Sequence, residues 1–144
     1  MSERGRDGLQ ARMEHVLREC HQPYYHDNTS LWNNAGFPDL WIPDPPTLWI
    51  LENKSMKGRV SAEQALWLEV LRQCERIEVK VMRPDEYDEW SRRTWDGWQR
   101  RLNAGGQDPV TQLDATIRAE RAKRTSQTKA RRRGQGQLWR GKGR

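Results

Sequence analysis

The residues whose types and spacing could do chemistry are Glu52-Asn53-Lys54, with Asp39 upstream in Gly36-Phe37-Pro38-Asp39 and Gln64 downstream at the start of a helical pattern. Strand side chains alternate faces, so Glu52 and Lys54 share one face. Asn53 points away and leaves its backbone carbonyl between them as a further oxygen donor. If Asp39 lies on the neighbouring strand, two carboxylates and a lysine converge. Hard oxygen donors suit Mg²⁺, one or two ions, because such a cation accepts one or two carboxylates and keeps several waters. The chemistry such a set could do is in-line hydrolysis of a phosphodiester, the cation offsetting charge that develops on the phosphate oxygens.

The tripeptide alone proves little, since 32% of the chain is charged and Glu78-Val79-Lys80 repeats the spacing. Context separates the two copies. Only the first follows a Pro-Asp at the end of an extended segment and precedes a glutamine-bearing amphipathic helix. Glu78 and Lys80 read as the solvated face of a later strand.

The elements that must position these residues follow from periodicity and turn chemistry. Met13, Val16, Leu17 and Cys20 fall at helical spacing, so residues 9 to 21 read as a first helix ended by Pro23. Tyr24-Tyr25-His26 is extended. After a polar loop come Asp39-Leu40-Trp41-Ile42 as a second strand, Pro43-Asp44-Pro45-Pro46 as a turn, and Thr47 to Glu52 as a third strand. That hairpin brings Asp39 near Glu52. Ser61 reads as an N-cap with Gln64 in the capping-box position, which gives Gln64 a structural role beside any catalytic one. Ile77 to Met82 reads as a fourth strand, and Pro84 opens a helix that ends near Gly105-Gly106.

Length and composition bound the rest. A chain of 144 residues has room for one modest core. No apolar run approaches the ~20 residues that span a bilayer, and the first residues lack a signal-peptide pattern, so a soluble, intracellular protein is expected. Cys20 and Cys74 are too few for a disulfide framework and read as reduced packing residues on helices. His15, His21 and His26 with Cys20 match no zinc-site spacing. Of the eight tryptophans, most fall at core or interface positions. Trp90, Trp95 and Trp98 suit a dimer contact, while Trp32 in the polar loop and Trp139 suit base stacking.

Charge is divided unevenly. Residues 1 to 113 sum to −3 and residues 114 to 144 to +9. A mildly acidic body with a cation site would repel DNA, whereas a basic tail attracts phosphates irrespective of sequence. Leu113 and Ile117 support a helix to about Lys129. From Arg131 to Arg144 the Gly, Gln and Arg content predicts an unordered arm. The expected organisation is a flexible N-terminus (1–8), a core (9–106), a helical extension (107–130) and a disordered basic arm (131–144).

Tyr25-His26, Ala35-Gly36-Phe37-Pro38-Asp39-Leu40, Glu52-Asn53-Lys54-Ser55, Gly58-Arg59-Val60-Ser61, Glu63-Gln64 with Trp67-Leu68, and Val81-Met82-Arg83-Pro84-Asp85 together resemble the VRR-NUC branch of the PD-(D/E)xK nucleases. The resemblance covers about residues 9 to 90 and excludes the tail. It implies an α/β fold with a restriction-endonuclease-like core: a small mixed central sheet flanked by helices in α-β-β-β-α-β-α order. It further implies that Asp39 and Glu52 bind Mg²⁺ or Mn²⁺, that Lys54 positions or activates the attacking water, and that Gln64 matches the family's glutamine. Glu14 is the best placed first-helix acid, with Glu19 and Glu3 as alternatives. The family often has Gly-Trp before the first strand; here stand His21-Gln22-Pro23. His26, Trp32, Lys57, Arg59, Arg131, Arg132, Arg133 and Arg140 are the expected DNA contacts.

Stand-alone domains of this size are similar to phage and bacterial enzymes that act on branched DNA, including Holliday-junction resolvases working as homodimers in the bacterial cytoplasm. Two other functions remain open from sequence: a nuclease without junction preference, and a catalytically silent DNA-binding or packaging accessory protein.

Overall fold

The computed structural model describes residues 8–27 and 36–140, with side chains to residue 135. The expected flexible stretch before Gly8 lies outside them, as do Glu3 and Trp32. The elements run α1 (Leu9–Glu19), β1 (Tyr25–His26), β2 (Leu40–Asp44), β3 (Thr47–Asn53), α2 (Ala62–Arg72), β4 (Ile77–Met82), a 3-10 turn (Pro84–Glu86), α3 (Tyr87–Asn103) and α4 (Pro109–Arg140). Up to α3 this is the expected order. The fold is mixed α/β.

Four strands form one sheet in the order β1-β2-β3-β4; the first three pair antiparallel, and β4 joins β3 in parallel. A parallel neighbour cannot be reached by a tight turn, so α2 supplies the crossover. The turn between β2 and β3 is shorter than the sequence suggests: Pro43 and Asp44 belong to β2, and only Pro45 and Pro46, joined by a cis bond, stand between the strands. Pro43 is tolerated because β1 has already ended opposite Trp41. Its carbonyl accepts the Gln22 side-chain amide at 2.8 Å.

Alternation splits the sheet into two faces. Leu40, Ile42 and Leu51 face α1, where Leu9, Met13 and Leu17 complete a buried cluster with Met82; Trp49, Tyr87 and Trp90 pack against it. The other face, with Ile50 and Glu52, lies under α2. There Phe37 stacks on Trp41 at 5.1 Å and meets Trp67 edge-on at 5.2 Å. Helix α3 closes the first face loosely. None of its residues is fully buried, and a cavity of about 180 Å³ remains between it and the sheet.

Helix α1 stops at Glu19 rather than His21, because His21 takes a left-handed backbone (φ 51°) that ends the helix. The His21 ring holds this turn in place, stacking on Trp98 at 4.5 Å and meeting Asp114 at 3.1 Å. Cys20, just past the helix, is buried, which pushes its thiol up to about 11. Cys74 differs from expectation: it lies exposed beyond the end of α2 and packs no core. Of the three tryptophans suggested for an interface, Trp90 and Trp98 have intramolecular partners, and Trp95 is 39% exposed.

Helix α4 also departs from the sequence reading, running past Lys129 to Arg140. Composition predicts no buried surface there, and residues 119 to 135 are all exposed, so burial does not hold the helix. Local propensity does: Ala, Arg, Lys and Gln are among the better helix formers. Among the described residues no helix is long and apolar enough to cross a membrane.

Candidate active site

The hairpin places Asp39. Leu40 pairs with Leu51, so one step further in the same antiparallel register sets Asp39 against Glu52 on the α2 face. Asp39 Oδ2 accepts the Asn53 backbone N–H at 3.0 Å, and its carbonyl accepts the Asp27 N–H at 3.0 Å. Gly36 has to be glycine: its φ is 82°, and a Cβ would come within 2.5 Å of the Gln64 backbone nitrogen. The Gly-Phe-Pro-Asp segment is thereby pressed against the first turn of α2.

Glu52 is 1% exposed. Its Oε1 takes Lys54 Nζ at 2.8 Å and Gln64 Nε2 at 2.5 Å; its Oε2 is buried without a partner among the described residues. Burial raises the Glu52 carboxyl above its ordinary range, offset in part by Lys54 and reinforced by the charge of Asp39. Asp39 is raised as well, chiefly by burial, with the Asn53 N–H, Lys54 and His26 pulling the other way. A cation between Asp39 and Glu52 would restore the charged form of the two carboxyls, which burial disfavours.

The donor set is small. Among the described residues no group of three His, Cys, Asp or Glu side chains is arranged to hold a metal. Two carboxylates are nonetheless what Mg²⁺ ordinarily takes from a protein, and the Asn53 carbonyl stands between Glu52 and Lys54 at the strand end. Asp39 and Glu52 are the residues that would hold it.

On the opposite face, helix α1 sends Glu14 to His26 Nδ1 at 2.5 Å, while Gln10 Nε2 donates to the same Glu14 oxygen at 2.7 Å. The Asn53 carboxamide donates to Gln10 Oε1, joining this group to the end of β3. Glu14 is therefore the first-helix acid nearest the site, tied to it through Gln10 and Asn53 rather than by direct contact with Asp39 or Glu52. Glu19 is exposed at the end of α1. His26 is held by Glu14 and bears on Asp39 electrostatically.

The loop after β3 presents Lys57 and Arg59, both exposed and without an acid partner among the described residues. Arg83 staples this loop, donating from one nitrogen to the carbonyls of Ser55 at 2.6 Å and Gly58 at 3.0 Å. Sequence reasoning assigned no role to Arg83 or Gln10; the position of Arg83 directly before Pro84, at the end of β4, was the available signal. Lys80 pairs with Glu86 at 2.9 Å and Glu78 is exposed, so the second Glu-x-Lys is peripheral to the site. Arg131, Arg132 and Arg133 lie exposed on α4; the side chains of Trp139 and Arg140 fall outside the described residues.

The structure thus brings Asp39, Glu52, Lys54 and Gln64 together, pairs Glu14 with His26 beside them, and leaves the basic residues of α4 apart. Set against protein-family models, curated proteins and solved structures, the chain matches none.

Proposed function

We propose that this protein is a divalent-metal-dependent endodeoxyribonuclease with a restriction-endonuclease-like core of the VRR-NUC type, selective for branched DNA such as Holliday junctions. The observation that carries the reading is Glu52: a buried carboxylate with one oxygen bound by Lys54 and Gln64, the other buried without a partner among the described residues, and Asp39 across the strand pair. Asp39 and Glu52 would hold Mg²⁺ or Mn²⁺, which would supply Lewis-acid charge at the scissile phosphate. Lys54, fixed by Glu52, orients water for attack and offsets charge on the phosphate oxygens. Lys57 and Arg59, on the stapled loop, hold the strand being cut. Symmetric cleavage of a junction needs two such sites, hence a homodimer.

The test is cleavage of four-way junctions, flaps, single strands and plain duplex by the purified protein in Mg²⁺, Mn²⁺ or EDTA, beside Glu52→Ala. Junction cleavage lost in EDTA and in the variant supports the reading. Equal cutting of all substrates removes the junction preference, and binding without cutting in any metal identifies a catalytically silent DNA-binding protein instead.

A further inference from the structure

Helix α4 carries a second surface that the cleavage site does not use. Its first turns are anchored: Val110 is buried, Asp114 meets His21, and Arg118 reaches the Arg18 carbonyl at 2.9 Å. Beyond Arg118 every residue to 135 is exposed. The whole helix has 32 residues and so measures about 48 Å, most of it standing clear of the core.

The charges on that length are not scattered. At about 100° per residue, Arg121, Arg124, Lys129, Arg131, Arg132 and Arg133 fall within roughly 200° of the circumference. Lys123 falls at the centre of the opposite side, and it pairs with Glu120 at 2.8 Å. The helix therefore spreads six exposed cations around a little more than half of its circumference, and on the remainder its one lysine, Lys123, is paired with Glu120.

We propose that this side of α4 binds double-stranded DNA, the helix lying in the major groove with its cations on the flanking phosphates. The inference rests on DNA being the substrate of the core. Three features select duplex. The major groove is about 12 Å wide and admits an α-helix. No aromatic residue interleaves the cations from Arg121 to Arg133, and Trp139 lies six residues beyond them, so this stretch itself offers the bases of a single strand no stacking platform. The cationic stretch has no apolar face that a lipid surface would bury. Arg121 to Arg133 spans about 18 Å, enough to meet phosphates on both walls of the groove.

The experiment measures binding of the full-length chain in EDTA, where nothing is cut, to a duplex, a single strand of equal length and anionic phospholipid vesicles across a salt series. The variant replaces all six cations by Gln, a comparable helix former; a second replaces the five arginines by Lys. Every phosphate left without its cation flattens the plot of log affinity against log salt by about 0.9 for duplex. A slope smaller by about three or more in the Gln variant, near wild type in the Lys variant, supports the inference whether or not the wild type cleaves. An unchanged duplex slope overturns it, and so does a loss as large for the single strand or the vesicles. Cleavage by the wild type with an unchanged slope leaves the core assignment standing and removes only this arm.

Discussion

Gln64 serves Glu52 and its own helix at once: its Nε2 donates to Glu52 Oε1 at 2.5 Å while its Oε1 accepts the Ser61 N–H at 2.9 Å. With the Ser61 hydroxyl accepting the Gln64 N–H at 3.1 Å, the box that starts α2 also fixes the carboxylate. Gln64→Ala keeps the Ser61 hydroxyl on the residue-64 N–H but removes the reciprocal bond to the Ser61 N–H and the donor to Glu52, and should cost about 1 kcal/mol. Gln64→Glu keeps a capping acceptor but sets a like charge on Glu52, so the rise of activity with pH should move up by about a unit or more. An unmoved pH–rate profile in Gln64→Glu would show that the contact with Glu52 is incidental.

Asp39→Ala and Glu52→Ala should each lower cleavage by about a thousand-fold, roughly 4 kcal/mol of barrier, with DNA affinity retained in EDTA. Lys54→Ala should lower turnover far more than affinity. Single-turnover rates and binding isotherms measured on the same preparations separate the two effects. A pure affinity defect in Lys54→Ala would reduce it to a phosphate contact.

Activity should increase with pH through a carboxyl range higher than usual, because Asp39 and Glu52 are both raised. Stability runs the other way. A carboxyl whose folded value lies above its unfolded one contributes stability at low pH, and that contribution is lost as pH rises through the folded value. Glu52→Gln should therefore gain thermal stability relative to wild type as pH rises above the ordinary glutamate range in the absence of divalent metal. A difference in melting temperature that shrinks over that rise would contradict the burial of an uncompensated charge.

Arg83→Met removes a charged donor from the Ser55 and Gly58 carbonyls and should cost about 2 kcal/mol. Because the loop it holds carries Lys57 and Arg59, KM should rise more than kcat falls. Arg83→Lys should restore little, since a single ammonium does not reproduce the geometry of the guanidinium. Full stability in Arg83→Met, read by thermal melting, would mean the loop is held by other contacts.

Gly36→Ala should destabilise by about 1–3 kcal/mol, through both the left-handed backbone and the collision with the first turn of α2. Cleavage should fall further than stability, because Asp39 follows three residues later on the same displaced segment. Equal activity per folded molecule would separate Gly36 from the placement of Asp39.

Much of this was legible in the sequence because it is local. The capping box at Ser61, the strand Ile77–Met82 and the return of β2 onto β3 depend on residues near one another in the chain. Alternation around Glu52 correctly sent Lys54 to the same side and Asn53 to the other. What could not be read was the partner of each group across the fold. Nothing local says that Asn53 meets Gln10, 43 positions away, or that Arg83 reaches back to Ser55. The extent of α4 was missed for the opposite reason: a test based on burial overlooks a helix that propensity alone supports.

The strand β3 delivers Glu52 to one helical layer and Asn53 to the other, so two consecutive residues tie both faces of the sheet to one point. Substitution leaves this arrangement in place, but a change in count does not. Deleting or inserting one residue between Thr47 and Leu51 would shift the strand by half its repeat, turning the acid toward α1 and the amide toward α2. The core could refill with other apolar side chains after such a slip, and the protein would still fold with its chemistry facing the wrong way. Viable variation in length is therefore expected along the exposed part of α4, and not within β3.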